Sequence, residues 1–198
     1  MNRIIIILGI IILITGVSML SYSFYQDNKY KNEDKELLNE FFENYEEEKG
    51  LEQIDIKEKF ISQENFKRYD GVIEIPKISL KTGIVKSDND YSTMNRYVSI
   101  HPKSDMPDYE NGNLILFAHN GNSRVSYFKN IYKLNKDDKI FIYYNNQKYT
   151  YKVINKYDVY MMDNIPLNRI EDKNIVTLIT CKKGNRDYRT IIVGELVV

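Results

Sequence analysis

Three patterns of apolar and polar positions follow one another along the chain. From Ile4 to Leu20 the residues read IIIILGIIILITGVSML without a charge, and the run continues weakly apolar to Tyr25. At about 1.5 Å of rise per helical residue this is long enough to cross a hydrocarbon core, with Tyr22, Phe24 and Tyr25 at interfacial depth. A transmembrane anchor over residues 1–26 is expected. The run is longer than the apolar region of a cleaved signal peptide, and no small-x-small cleavage site follows it. Residues 27–68 form a charged connector in which Leu37, Leu38, Phe41, Phe42 and Tyr45 recur at steps of three and four. That spacing predicts a helix ending at Gly50, whose apolar stripe rests on the following domain rather than on a partner.

From Tyr69 the pattern changes to short runs rich in Ile, Val and Tyr, divided by turn residues. Strands are predicted near 71–75, 78–85, 97–100, 113–118, 139–144, 148–159, 175–180 and 189–198. The fold class is therefore mainly β, and eight strands fit a closed barrel over residues 69–198, with short helices added. Asn145-Asn146 between IFIYY and KYTYKV predicts a hairpin turn, because asparagine tolerates the positive φ such turns require. The segment SYFKNIYKL, residues 126–134, predicts a helix with Tyr127, Phe128, Ile131 and Leu134 against the barrel. About 130 residues are enough for one domain with its own core.

Charge and cysteine content narrow the function classes. Lys plus Arg equals Asp plus Glu at 28 each, which gives no support to a nucleic-acid partner. The balance is uneven, with 13 acidic and 8 basic side chains in residues 27–68, so that the connector is acidic and the remainder mildly basic. Arg3 on one side of the apolar run faces Lys29, Lys31 and Lys35 on the other, and the count of positive charges does not decide the anchor's orientation. The single cysteine excludes an intramolecular disulfide, and the two histidines lie too far apart for a local zinc motif. No metal or other cofactor is expected.

The candidate chemistry lies at strand ends. Cys181 closes the apolar run IVTLITC and precedes the polar Lys182-Lys183-Gly184, where a buried inert cysteine would be followed by more core. A thiol of ordinary pKa is mostly protonated at neutral pH, so a nucleophilic cysteine needs a histidine or a positive field beside it. His119 ends another apolar run, LILFAHNG, at a strand-to-loop edge where functional groups concentrate. Arg189 opens TIIVGELVV, where strand pairing fixes its direction; Arg186 is a nearby competitor. Attack of the sulfur on an amide generates an oxyanion that an arginine can stabilise, and the imidazole can protonate the departing amine. A hydrolytic cysteine peptidase would use the same groups, but papain-like enzymes place the cysteine first in the chain and on a helix. A non-catalytic membrane-anchored binding domain is the other alternative.

At these residues the sequence resembles the sortase family of cysteine transpeptidases of Gram-positive cell surfaces. TLITC at 177–181 matches the family's TLxTC motif, NGNLILFAHNG resembles its histidine strand, and RTIIVGELV its arginine-led last strand. GVIEIPKISLKTGIV resembles the opening strands of the same barrel. The resemblance covers residues 69–198. It implies an N-terminus in the cytoplasm, a catalytic domain outside the cell, and an LPxTG-like C-terminal sorting signal on secreted proteins as substrate. It further implies Cys181 as nucleophile, His119 as general acid and base, Arg189 as the group that positions the peptide and stabilises the oxyanion, and a cell-wall precursor or pilin amine as acceptor. Leu178 and Thr180 belong to the motif and are implied as substrate-side or structural residues, and His101 in SIHPKS likewise. No long helical insertion separates the histidine and cysteine strands, and no aspartate-proline-aromatic lid is evident, which makes the chain class A or D-like rather than B or C.

Overall fold

The computed structural model describes residues 3–50, 69–87, 92–163, 165 and 167–197. Helix α1, Arg3–Gly50, runs for 48 residues without interruption. The expected anchor, residues 1–26, and the first part of the expected connector are continuous in this helix. The sequence explains the continuity: no proline occurs in it, and its two glycines before Gly50, Gly9 and Gly16, lie in the apolar run, where a helix forms with all backbone hydrogen bonds satisfied internally. Its N-terminal portion is long and apolar enough to cross a membrane. The second part of the connector, residues 51–68, lies outside the described residues.

Contacts divide the chain into two compact units, one ending at Glu36 and one running from Leu37 onward. Within the second unit the expected apolar stripe is seated on the barrel. Leu37, Leu38, Phe41 and Phe42 pack on a buried cluster of Tyr69, Val72, Val85 and Tyr97. Phe42 and Tyr45 present ring edges to Tyr143 at 5.1 and 5.8 Å between centroids, arrangements that favour aromatic pairs beyond the area they bury. Burial, together with a hydrogen bond of 2.9 Å donated to Glu74, pushes the Tyr143 phenol up to about 12. Tyr69 lies flat on Gly83, where a Cβ would fall inside its ring.

Eight strands form the barrel: β1 Gly71–Ile75, β2 Leu80–Lys86, β3 Val98–Ile100, β4 Asn113–Phe117, β5 Lys139–Tyr144, β6 Gln147–Tyr160, β7 Ile175–Lys182 and β8 Asn185–Leu196. The order around the barrel is β1-β2-β3-β4-β7-β8-β6-β5, closed by β5 against β1. Two neighbouring pairs, β2–β3 and β4–β7, are parallel, and the second requires the long excursion through β5 and β6. The β5–β6 hairpin turns at Asn145 and Asn146 with φ of 47° and 56°, the left-handed pair that the sequence predicts. The interior holds Ile73, Ile75, Ile84, Leu114, Leu116, Ile140, Ile142, Val176, Leu178 and Ile192, all essentially inaccessible to solvent.

The helix expected over 126–134 is replaced by turns and a three-residue 3₁₀ segment, Ile131–Lys133. Its amides bond three residues back: Lys129 to Ser126, Ile131 to Phe128, Lys133 to Asn130 and Leu134 to Ile131. With three residues per turn, Phe128, Ile131 and Leu134 stack on one side, and all three are fully buried. Apolar residues at i, i+3 and i+6 fit this repeat better than the α-helical 3.6. The Phe128 amide also donates to the His119 carbonyl at 3.3 Å, tying the segment to the end of β4.

Candidate active site

Strand parity places the three candidate groups. Along β4, Leu114 and Leu116 enter the barrel, whereas Ile115 and Phe117 belong to a second cluster on the outer face. In β7 the inward residues are Val176 and Leu178 and the outward ones Ile175 and Ile179; in β8 Ile192 points in while Ile191 and Val193 point out. Continuing each alternation, His119 follows Phe117 by two, Cys181 follows Ile179 by two, and Arg189 precedes Ile191 by two, so all three fall on the outer face of adjacent strands. The registers bring them to the same end: Phe117 pairs with Ile179, and Cys181 lies directly opposite Arg189. Residues directly opposed across two strands share a face with their Cβ atoms in close range.

These side chains line a cleft of about 630 Å³ together with Met94, His101, Phe117, Met161, Ile165, Leu167 and Ile179. The size is that of a peptide or small-molecule site, mainly apolar with a few polar groups at one place. Cys181 is a free thiol, half-buried. Its backbone is fixed from both sides, since Arg189 pairs with it across the β7–β8 ladder and the Asn120 side chain donates Nδ2–H to its carbonyl at 2.6 Å. The last regular backbone contact between β4 and β7 is a bond of 3.4 Å from the Ala118 amide to the Ile179 carbonyl, so the Asn120 bond extends the seam past the point where the ladder ends. Thr180 adds a third tie, its hydroxyl donating to the Ala118 carbonyl at 2.7 Å.

His119 is half-buried, and its Nε2 lies 3.5 Å from Asn95 Oδ1 in the short 3₁₀ turn before β3. Arg189 is held by its own hairpin. Between Cys181, opposite Arg189, and Lys182, opposite Asn185, the β7–β8 register shifts, leaving Arg186, Asp187 and Tyr188 as extra residues on β8. The Arg189 guanidinium folds back on this irregularity, Nη1 donating to the carbonyls of Arg186 at 2.7 Å and Tyr188 at 3.2 Å. Arg186 contributes a carbonyl, while its side chain lies exposed outside the cleft.

Leu178 does not face the cleft. It is wholly buried among the interior residues, so its part in the motif is packing and the substrate-side role is corrected to a structural one. Thr180 is almost fully buried and lines the cleft only from its floor, with its hydroxyl already committed to Ala118. His101 does reach the cleft, on the edge of Phe117 at 6.0 Å between ring centroids. Its Nδ1 accepts the Lys103 amide at 3.1 Å, and partial burial, with Lys103 adding repulsion, lowers its pKa and favours the neutral ring. Asn95, Met94, Met161, Ile165 and Leu167 carry no sequence signal because each reaches the site from a distant segment, whereas Asn120 stands next to His119 and is marked only by that adjacency. Among the described residues no group of three or more His, Cys, Asp or Glu side chains gathers where an ion could be held.

Residues 73–197 match the Sortase domain family. The chain is 27% identical over 205 residues to Sortase A of Bacillus anthracis, an alignment that spans 99% of this chain and 96% of that protein. Among solved structures, a Sortase D5 transpeptidase of Clostridium perfringens superposes with a TM-score of 0.63 at 26% identity, over 83% of this chain and 98% of that one. Sortase C-1 of Actinomyces oris gives a TM-score of 0.60 at 25% identity over 65% of this chain and 73% of that one. The family match over most of the barrel, joined to a cysteine, a histidine and an arginine on one outer face, places this chain in the sortase family.

Proposed function

We propose that this protein is a membrane-anchored cysteine transpeptidase that cuts an LPxTG-like sorting signal near the C-terminus of secreted proteins and joins the product to an amine. The Cys181 sulfur attacks the carbonyl after threonine; its proton passes to His119, and the carbonyl oxygen becomes the oxyanion. Collapse of the adduct expels the downstream amine, which takes the proton from His119, and leaves a thioester on Cys181. The acceptor amine, from a cell-wall precursor or a pilin lysine, attacks the thioester and gives a proton to His119, which passes it to the departing sulfur, forming the new amide and regenerating the thiol. Arg189, tethered by backbone carbonyls and presenting its remaining N–H groups, holds the peptide backbone and stabilises the oxyanion, a contact typically worth about 3 kcal/mol in the transition state.

The observation that carries this reading is the convergence of Cys181, His119 and Arg189 on one cleft through three neighbouring strands. The long apolar helix supports anchoring in the membrane; an N-terminus in the cytoplasm and a barrel outside follow from the family reading. Sortase C structures superpose about as well but over 65% of this chain for Sortase C-1 of Actinomyces oris, against 83% for Sortase D5 and an alignment over 99% for Sortase A, and this wider coverage supports a class A or D-like enzyme. The test is incubation of the full chain in detergent with an LPxTG-type peptide library and an added amine, read by mass spectrometry. A thioester at Cys181 and an amine-joined product are expected. Cleavage with water as the sole acceptor would make the protein a hydrolytic peptidase instead, and absence of any adduct would leave a binding domain.

A further inference from the structure

One wall of the cleft is fastened by an ion pair that the acyl transfer does not use. The connection between β6 and β7 supplies Ile165 and Leu167 to the cleft, and both pack on the outer-face cluster of β4, β7 and β8. This connection has little ladder of its own: among its described residues the pairing is a single bridge between Ile170 and Lys173. Arg169 secures it. Its Nη2 and Nε donate to Oδ1 and Oδ2 of Asp105 at 2.6 and 2.8 Å, and its guanidinium lies over the Tyr109 ring at 4.7 Å.

Asp105, in the connection from β3 to β4, is itself fixed. Its Oδ2 accepts the Asn113 amide at 3.0 Å, and its own amide donates to the Asn113 carbonyl at 3.0 Å. Asn113, buried at the start of β4, reaches the same wall directly: Nδ2 donates to the carbonyls of Leu167 and Asn168 at 3.3 and 3.4 Å, while Oδ1 accepts the Thr177 hydroxyl at 2.9 Å. The wall is thus gripped at its backbone by a buried amide and at its side chain by a fork. The Arg169 hydrogen bonds hold the Asp105 carboxyl below its usual range, so the fork stays ionised in mild acid.

We propose that Asp105 and Arg169 are positioning residues for the substrate, holding the wall formed by Ile165 and Leu167 in place and so setting how tightly the cleft retains the peptide. The inference rests on the transpeptidase reading. An exposed single-contact ion pair contributes little, but this one is bidentate, stacked on an aromatic ring and shares an oxygen with a strand amide. Its alternative is a segment with few contacts, which opens at low free-energy cost. A loosened wall weakens ground-state and transition-state binding alike, which raises KM and leaves kcat in place.

The test uses the full chain in detergent. Arg169→Ala and Asp105→Asn are compared with the parent in steady-state cleavage of a quenched peptide containing Leu-Pro-Asn-Thr-Gly, and in amide hydrogen exchange. Asp105→Asn keeps an oxygen for the Asn113 amide while removing the charge. A KM increase of about fivefold with kcat within about twofold is expected, with faster exchange over 167–173 and unchanged exchange in the barrel strands. Unchanged KM and unchanged exchange in the two single variants would overturn the proposal. A parent protein that forms no thioester would sink the transpeptidase reading alone, since exchange still decides whether the pair holds the wall.

Discussion

The inner and outer faces of β4, β7 and β8 are built from alternate residues of the same three strands, yet they meet different demands. The inner face, with Leu114, Leu116, Val176, Leu178 and Ile192, is apolar to its end and sealed from solvent. The outer face begins with the same kind of residue, Ile115, Phe117, Ile179 and Ile191, and changes character at one end, where His119, Cys181 and Arg189 succeed them. Burying an unpartnered imidazole or guanidinium inside the barrel would cost several kcal/mol, whereas on the outer face the apolar floor fixes the backbone and the cleft leaves the polar heads partly hydrated. A rigid shell and a reactive rim thus arise from one pleat, and residues adjacent in sequence have opposite duties.

The sharpest way to break this contrast is to change neighbours of opposite parity. Cys181→Ala removes the proposed nucleophile from the rim; turnover of an LPxTG-type peptide is expected to fall at least about 10⁴-fold, with the melting temperature nearly unchanged. Leu178→Ala, three residues earlier and inward, leaves a cavity costing about 2–5 kcal/mol, seen as a lowered denaturation midpoint, while the folded fraction keeps its kcat. Equal loss of activity per folded molecule in both would erase the distinction. Next in size, Arg189→Ala is expected to lower kcat about 10²–10³-fold, against little change in Arg186→Ala, because only the carbonyl of Arg186 takes part in holding the guanidinium.

Smaller effects test the supports. Thr180→Val deletes the hydroxyl that bonds the Ala118 carbonyl and is expected to cost about 1–2 kcal/mol in urea unfolding, with a modest fall in kcat as the strand ends loosen. The weakest concerns His101, whose folded pKa lies below its ordinary 6.5 because of burial and Lys103. The unfolded chain then binds more protons just below pH 6.5, so the stability from this group is fully present above that value and is lost as pH falls through the folded pKa. Replacing His101 by Gln should flatten the pH dependence of the melting temperature over that window; an unchanged slope would remove His101 as its source.

Much of the barrel was legible because alternation and turn residues are local signals. The Asn145-Asn146 hairpin and the strand runs are predicted within a few residues of their observed limits. The 126–134 segment was misread because Phe128, Ile131 and Leu134 satisfy both a helical and a 3₁₀ spacing, and only the i to i+3 bonds decide between them. Parity, readable from the sequence, already sets Leu178 apart from Cys181, whereas motif membership groups them together. Asn95, Ile165 and Leu167 were illegible for a different reason: each meets the site through chain closure over dozens of residues, which leaves no periodic trace.

The irregular β7–β8 hairpin has a consequence for how this region tolerates change in length. Arg186, Asp187 and Tyr188 stand out of step with β7, and the carbonyls of Arg186 and Tyr188 cradle the Arg189 head group. Side chains alternate every residue, so removing a single residue from this trio while the downstream strand slides to compensate would swing the cation toward the barrel's lumen, and removing two would return it outward without its cradle. Lengthening at Lys183-Gly184, beyond the trio, disturbs neither direction nor cradle. Evolution can therefore vary the tip of this hairpin freely, while its stem is counted out residue by residue.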